Sequence, residues 1–427
     1  MNLPVSGRVV IIDNRIQEVL PLIRIFSKEK VAVTWFSGRI EDLPSQPFED
    51  VRVVFLDIVL EGLEGADEKT KVSTLVNVVN RIVSKESGPF VLATWTKHPE
   101  MTEKVKETLK KEGFYIIAIN LEKDRFFERR GSNEEWEYKY DNLNPLIEKI
   151  EEEITSLDIF KVFIGWENLI NDAACRTVNE VSKFAEYDEN WNTKIKKIFY
   201  KLAEAWAGKT VEGMEDKDKI KNALYSFYHI FADVFERKIQ QTDIGGVSIE
   251  EGNIDSETIG KINSRILLDT SPGGEFYPGN VYKAEEPVRP DFIKELLNEN
   301  REEILRSIAE KSIPVLVEVT PICDFAQGKA RLSRLVRGVL IPDSVDDEIR
   351  NIWRKIKKSA LFLYVSPVIH YGDRDYKMVL DFRYFTSIEK EKLTGKEILF
   401  RIRKEMLSDI QIKLSHHINR TGVLYLG

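Results

Sequence analysis

The chain has 427 residues, 42% of them hydrophobic and 31% charged, a balance that fits an ordinary globular protein of two or three domains. Its formal net charge of −8 argues against broad binding to a phosphate backbone, and its two cysteines, Cys175 and Cys323, exclude a disulfide framework or a CxxC-type zinc site. No uninterrupted apolar stretch nears the roughly 20 residues of a membrane helix, and "MNLPVSGRVV" lacks the pattern of a signal peptide, so a cytoplasmic protein without membrane contact is expected.

The first part of the chain alternates strand and helix patterns. "GRVVIID" is a continuous apolar run, as a strand covered on both faces requires. "NRIQEVLPLIRIFSKE" then places Ile16, Val19, Leu20, Ile23 and Phe26 on one helical face. "VAVTWF" and "VRVVFLDI" read as the second and third strands, and "KTKVSTLVNVVNRIVSK" as a helix with Val72, Leu75, Val76, Val79 and Val83 on one side. "PFVLATW" is a fourth strand, "PEMTEKVKETLKKEG" a helix between a starting proline and Gly113, "FYIIAIN" a fifth strand, and "NPLIEKIEEEITS" a closing helix. This order predicts a doubly wound parallel five-stranded sheet with helices on both faces.

Residues 157–242 read as a helical domain of three long helices, with Trp191, Ile195, Ile198, Leu202, Ala205 and Trp206 as one stripe and Leu224, Phe227, Phe231 and Phe235 as another. The polar, glycine-containing "QQTDIGGVSIEEGN" leads into residues 243–427, a mixed α+β domain with a bent sheet or small barrel. "SRILLDT", "GNVYKA", "IPVLVEVTPIC", "LVRGVLIP", "LFLYVSPVIHY" and "YKMVLDFRYF" are its predicted strands. "PDFIKELLNENREEILRSIAEK" is a helical insertion and "TGKEILFRIRKEMLSDIQIKLSHHI" a C-terminal helix.

Ligands of a doubly wound sheet bind at the carboxyl ends of its strands. Asp13 ends the first predicted strand, Asp57 the third and Thr94 the fourth. Two carboxylates and a hydroxyl at one rim suit a hard cation such as Mg2+, which would offset their repulsion and neutralise an arriving phosphoryl group.

On these residues the segment 1–156 resembles the receiver domain of response regulators: "IIDN" at Asp13 and Asn14, "VVFLDI" at Asp57, Gly62 in the loop beyond, and Thr94. The resemblance implies Asp57 as phospho-acceptor, Asp13 and the Val59 carbonyl as Mg2+ ligands, Thr94 as the switch hydroxyl, and a lysine near the end of the fifth strand. Asn120 stands at that strand end, and Lys123 follows three residues later. Asn14 removes one charge from the Mg2+ site, and Trp95, where the family has a small residue, is a candidate pocket cover, so the resemblance extends to a degenerate or pseudo-receiver.

In the last domain, "VEVTPICDFAQGK" and "SPVIHYGD" offer Cys323, Asp324 and His370 as a candidate Cys/His/Asp nucleophilic site, with Asp381 as an alternative acid. The plainer reading has Cys323 as a small buried residue and Asp324 capping a turn. "TPICDFAQGK" also resembles a motif of bacterial proteins of unknown function. Arg331, Arg334 and Arg337 form either a small anion-binding face or a solvated edge, and His98 is a loop histidine near Thr94.

Three functions compete. The first is a signalling protein, not an enzyme, whose receiver-like domain controls or docks the C-terminal effector, with a sensor kinase or other protein as partner; chains of this organisation resemble components of bacterial phage-defence systems. The second is an enzyme using Cys323, and the third an interaction scaffold or phosphoryl sink.

Overall fold

The computed structural model describes residues 8–419 except residues 64, 96–98, 131–134, 140–143, 156–157, 244–246, 274–275, 298 and 344–361; His98 lies outside the described residues. The chain forms two compact units, Met1–Trp191 with Phe227–Glu250, and Asn192–Ser226 with Glu251–Gly427.

The first unit opens with β1 (Arg8–Ile12), α1 (Ile16–Lys28), β2 (Val33–Phe36), β3 (Val51–Asp57), α2 (Glu68–Ile82), β4 (Phe90–Trp95), α3 (Pro99–Lys111) and β5 (Ile116–Leu121). All five strands are parallel in the order β2-β1-β3-β4-β5, the flavodoxin-like arrangement. Alternation along the strands divides the apolar runs between two cores. Val9, Ile11, Val53, Phe55, Val91, Ala93 and Trp95 meet α1 on one face. Val10, Ile12, Val54, Leu56, Phe90 and Leu92 meet α2 and α3 on the other.

Helix α1 buries Val19, Leu22, Ile25 and Phe26 and leaves Leu20 exposed, so the expected face is rotated. The apolar arc of this helix is wide enough that the sequence does not fix its centre. Helix α2 likewise adds Val78 and Ile82 to its buried side, and it starts where the Asp67 side chain accepts a hydrogen bond from Thr70 N at 2.9 Å.

Beyond β5 the chain forms elements that no sequence pattern announces: a single turn α4 (Lys123–Phe126) and an antiparallel pair, β6 (Phe127–Arg130) and β7 (Glu135–Tyr138). Phe126 and Phe127 are buried, with Phe127 edge-on to Trp95 at 5.6 Å. α5 (Asn144–Thr155) and α6 (Asp158–Ser182) follow, and Leu146, Ile150, Phe160 and Ile164 enter the core on the α1 side. Arg52 Nε donates to both Glu167 carboxylate oxygens at 3.0 Å, which ties α6 to β3. Next come α7 (Trp191–Ala207) and α8 (Asp216–Gln241); the later part of α8 belongs to this first unit, where Phe235 lies edge-on to Trp166 at 4.7 Å.

The second unit contains the rest of α7 and α8 and then α9 (Ser256–Leu267), β8 (Leu268–Asp269), β9 (Asn280–Lys283), α10 (Pro290–Leu297), α11 (Glu302–Lys311), β10 (Ile313–Glu318), α12 (Ile322–Ala326), β11 (Leu332–Pro342), β12 (Leu363–Tyr371), β13 (Arg374–Glu389), β14 (Ile398–Ile402) and α13 (Lys404–Ile418). Its seven strands form one antiparallel sheet in the order β12-β13-β11-β10-β9-β14-β8. β12 and β14 are five places apart, about 24 Å in a flat sheet. Yet the rings of Tyr371 and Phe400 approach to 5.5 Å, so the sheet curls into a half-barrel around Val317, Met378, Leu380, Phe400 and the Leu407–Leu414 side of α13.

Three expected elements differ in this unit. The first four residues of "SRILLDT" are the end of α9, which Asp255 caps by accepting from Thr258 N at 2.8 Å, and only Leu268 and Asp269 are extended. The helical insertion breaks after Leu297 into α10 and α11. The expected C-terminal helix starts late: "ILFRI" is β14, a buried strand between β9 and β8.

Candidate functional site

Register determines what reaches the rim of the parallel sheet. Asp57 on β3 pairs with Trp95 on β4, Leu56 pairs with Thr94, and Trp95 pairs with Leu121 on β5. In-register neighbours share a face and successive residues alternate. Asp57, Trp95 and Leu121 therefore belong to the α1 side, with Asp13 one residue past the end of β1. Thr94 and Asn120 belong to the α3 side. Lys123 lies beyond β5, at the start of a helical turn, and its ammonium turns back to Asp57, so that it, and not Asn120, occupies the site.

The Lys123 ammonium meets three carboxylates: it donates to Asp13 Oδ2 at 2.5 Å and to Glu18 Oε2 at 2.9 Å, and lies 3.6 Å from Asp57 Oδ2. Glu18, from the first turn of α1, also accepts from Arg15 Nη1 at 3.1 Å. Backbone groups hold the two aspartates: Arg15 N donates to Asp13 Oδ1 at 2.8 Å and Val59 N to Asp57 Oδ1 at 3.1 Å. Trp35 Nε1 donates to the Asp13 carbonyl at 2.9 Å.

Asp13, Asp57 and Thr94 are all buried. Burial pushes the Asp57 carboxyl up to about 6, with Lys123 opposing the shift and Asp13 adding to it. Burial also raises Asp13, outweighing the pull of Lys123. For Lys123 burial acts downward, but Asp57 and Asp13 outweigh it and the ammonium is held above its ordinary range. Glu18 ends below the ordinary carboxylate range, because Lys123 and Arg15 overcome its burial. Three carboxylates and two cations leave one formal negative charge, most of the neutralisation coming from within the chain.

Thr94 is elsewhere. Its hydroxyl shares a 2.6 Å hydrogen bond with Thr102 of α3 and lies 3.3 Å from the Ile119 carbonyl and 3.4 Å from Asn120 Oδ1. Trp95 is a core residue, stacked on Phe55 at 5.5 Å and 25° and backed by Phe127, so it forms an apolar wall beside Asp57. Val59 reaches the site through its backbone while its side chain is half exposed. Among the described residues, none gives a hydrogen bond to the buried Asn14 Oδ1, which leaves an unpaired acceptor next to Asp13 in the chain. Among the described residues, no group of three or more His, Cys, Asp or Glu is arranged to hold a metal ion.

The second unit separates its candidates. β10 runs up to Glu318 and the turn bearing Cys323; β11, β13 and β12 then alternate in direction, so His370 near the end of β12 lies at the opposite end of the sheet and three strands away. Cys323 is exposed on α12, its sulfur 3.9 Å from Asp324 Oδ1, and Asp324 pairs with Arg334 at 3.5 Å. His370 Nδ1 bonds Asp375 Oδ1 at 2.8 Å. Asp381 is fully buried and taken up by a bidentate contact with Arg383, whose Nε lies 3.0 Å from Oδ1 and Nη2 2.6 Å from Oδ2. Arg337 pairs with Glu286 at 3.3 Å and lies over the Phe292 ring.

Three functional-looking groups escape the sequence. Glu18 looks like any acid on the solvated side of a helix, and Arg15 like a loop cation. Glu318 ends β10 fully buried, its Oε1 accepting from Thr320 N at 3.0 Å and Arg334 N at 3.2 Å, with the Ser333 hydroxyl beside the carboxylate. A carboxylate at the end of an apolar strand was the available signal, and it is the signal that Asp57 gives. No protein-family model matches the chain, and no curated protein matches its sequence.

Proposed function

We propose that this is a signalling protein whose first unit is a receiver-like module, with Asp57 as the acceptor of a phosphoryl-type group, and whose second unit is the effector it controls or docks. The observation that carries this reading is the convergence of Asp13, Asp57 and Lys123 from three strand ends onto one rim of a flavodoxin-like sheet. In phosphorylation an Asp57 oxygen would bond to phosphorus as the donor's bond to phosphorus breaks, the donor leaving with the bonding pair. A phosphorylated kinase partner fits as donor. Mg2+ would be held by the Asp13 carboxylate and the Asn14 amide oxygen, and it would supply positive charge for the phosphoryl oxygens.

The module is read as degenerate in its output. A hydroxyl committed to Thr102 does not follow a group on Asp57, and Trp95 fills the α1 side of the rim with an indole. The same indole makes the test direct. Beryllofluoride with magnesium, which together mimic a phosphoryl group on a carboxylate, should change tryptophan fluorescence through Trp95 and Trp35, and Asp57→Asn should abolish the change. An identical response in Asp57→Asn, or none in the wild-type chain, would overturn Asp57 as acceptor. Partner capture unaffected by Asp57→Asn would instead favour a phosphate-independent scaffold.

A further inference from the structure

Among the described residues, Lys123 is the side chain that joins Asp57 to another element by an ion pair. It does so from an unusual base. Lys123 opens α4, and Phe126 at the end of that turn and Phe127 just after it are buried in the core beside Trp95. The Phe126 carbonyl accepts from Lys139 N at 2.8 Å, which closes the β6–β7 hairpin back onto α4. Lysine, turn and hairpin are thus one segment pinned at its root. β7 runs alongside α1, the helix that supplies Glu18.

Lys123 is also not centred between its partners. It sits at 2.5 Å from Asp13 and 2.9 Å from Glu18 but 3.6 Å from Asp57. Both Lys123 and Glu18 are largely buried, at 16% and 10% side-chain exposure, so their attraction is weakly screened. Glu18 is itself braced by Arg15.

We propose that Glu18 is a positioning residue that holds Lys123 on the α1 side of the rim, and that a group bound at Asp57 is reported by drawing Lys123 off Glu18 and loosening the α4–hairpin segment. The proposal rests on the reading of Asp57 as acceptor. A group carrying more negative charge than a carboxylate, placed on the side of Lys123 that faces Asp57, competes directly with Glu18 for the ammonium. The report then leaves through the hairpin, where Thr94 offers no route.

Hydrogen exchange on the full chain tests this, read in peptides covering residues 123–130 and 135–139. Glu18→Gln should raise exchange there about fivefold or more while leaving β1 and β3 unchanged. Lys123→Met should raise exchange at least as much, because it also removes the contacts to Asp13 and Asp57, and adding Glu18→Gln to it should raise exchange no further, since the Glu18–Lys123 pair is already gone. Glu61→Gln, which breaks the exposed pair with Arg39, is the control and should leave the segment unchanged. Beryllofluoride with magnesium should reproduce the Glu18→Gln pattern in the wild-type chain and add nothing in Glu18→Gln. Wild-type exchange in Glu18→Gln, or additive single effects, would overturn the positioning role even where Asp57 responds. A fluorescence response without faster hairpin exchange would overturn the transmission step. Faster exchange in Glu18→Gln with no beryllofluoride response of any kind would leave the positioning role standing and overturn Asp57 as acceptor.

Discussion

At the scale of the residue, the rim stores its chemistry at a cost in stability. Asp57 is charged at neutral pH although burial has pushed its carboxyl up to about 6. A folded-state value above the ordinary 3.8 means that the folded chain binds the proton more tightly than the unfolded chain. The penalty is therefore absent below about pH 4, grows as pH rises, and is complete above pH 6, where it amounts to about 3 kcal/mol. Asp57→Asn, a neutral isostere, should accordingly stabilise the first unit at pH 8, and by about half as much at pH 5. Thermal unfolding at the two pH values checks this; a variant that is destabilised at pH 8 would show that the ion pairing with Lys123 outweighs the burial. Asp13 and Asp57 were both legible in the sequence, because an acid closing an apolar strand has no place in a core. Glu18 was not. Its neighbours on α1 are ordinary helix residues, and Lys123 reaches it from 105 residues further along the chain.

At the scale of the element, what the sequence conveyed depends on how each segment is buried. Parallel strands covered on both faces are continuous apolar runs, and all five were readable together with their order along the chain. The hairpin of β6 and β7 was not, since "FERR" and "EWEY" are short segments in which every apolar residue but Phe127 is outnumbered by charged neighbours, and its root lies at the buried Phe126 and Phe127. "SRILLDT" and "EILFRI" are short apolar runs whose periodicity suits helix and strand equally; the first is helix as far as Leu267 and strand only at Leu268 and Asp269, and the second is strand where helix was expected. For α9 the deciding factors are the Asp255 cap and its lateral partner. The helix lies against the outer edge of β12, where Ser264 Oγ accepts from His370 N at 2.7 Å and donates to the His370 carbonyl at 2.9 Å, and Asn263 Nδ2 donates to the Val368 carbonyl at 2.8 Å. An edge strand with open backbone groups invites pairing with another chain, and α9 satisfies those groups here. Ser264→Ala should cost the second unit about 1 kcal/mol or more, because two half-buried backbone groups of His370 lose their partner together. Urea unfolding followed in that unit reads the loss; a change within a few tenths of a kcal/mol would mean that water replaces the serine freely.

At the scale of the whole molecule, the two units differ in how they use polar side chains. In the first, elements distant in sequence deliver Asp13, Glu18, Asp57 and Lys123 to one rim. In the second, each candidate is satisfied close to home: His370 by Asp375, Asp381 by Arg383, Asp324 by Arg334. Among the described residues Cys323 is separated by β10, β11 and β13 from the His370 imidazole, which an acyl-transfer site would need within hydrogen-bond reach. Its sulfur lies 3.9 Å from Asp324 Oδ1. The two cysteines of the chain, both exposed, permit an internal comparison. A maleimide or iodoacetamide probe should label Cys323 no faster than Cys175 at pH 7, and His370→Ala should leave the rate at Cys323 unchanged. A rate at Cys323 about tenfold or more above that at Cys175, and lost in His370→Ala, would place the imidazole beside the thiol in solution and make the second unit an enzyme. The opposite result removes Cys323 as a nucleophile and leaves Glu318, fully buried at the end of β10, as the acid of that unit that closes an apolar strand as Asp57 does in the first.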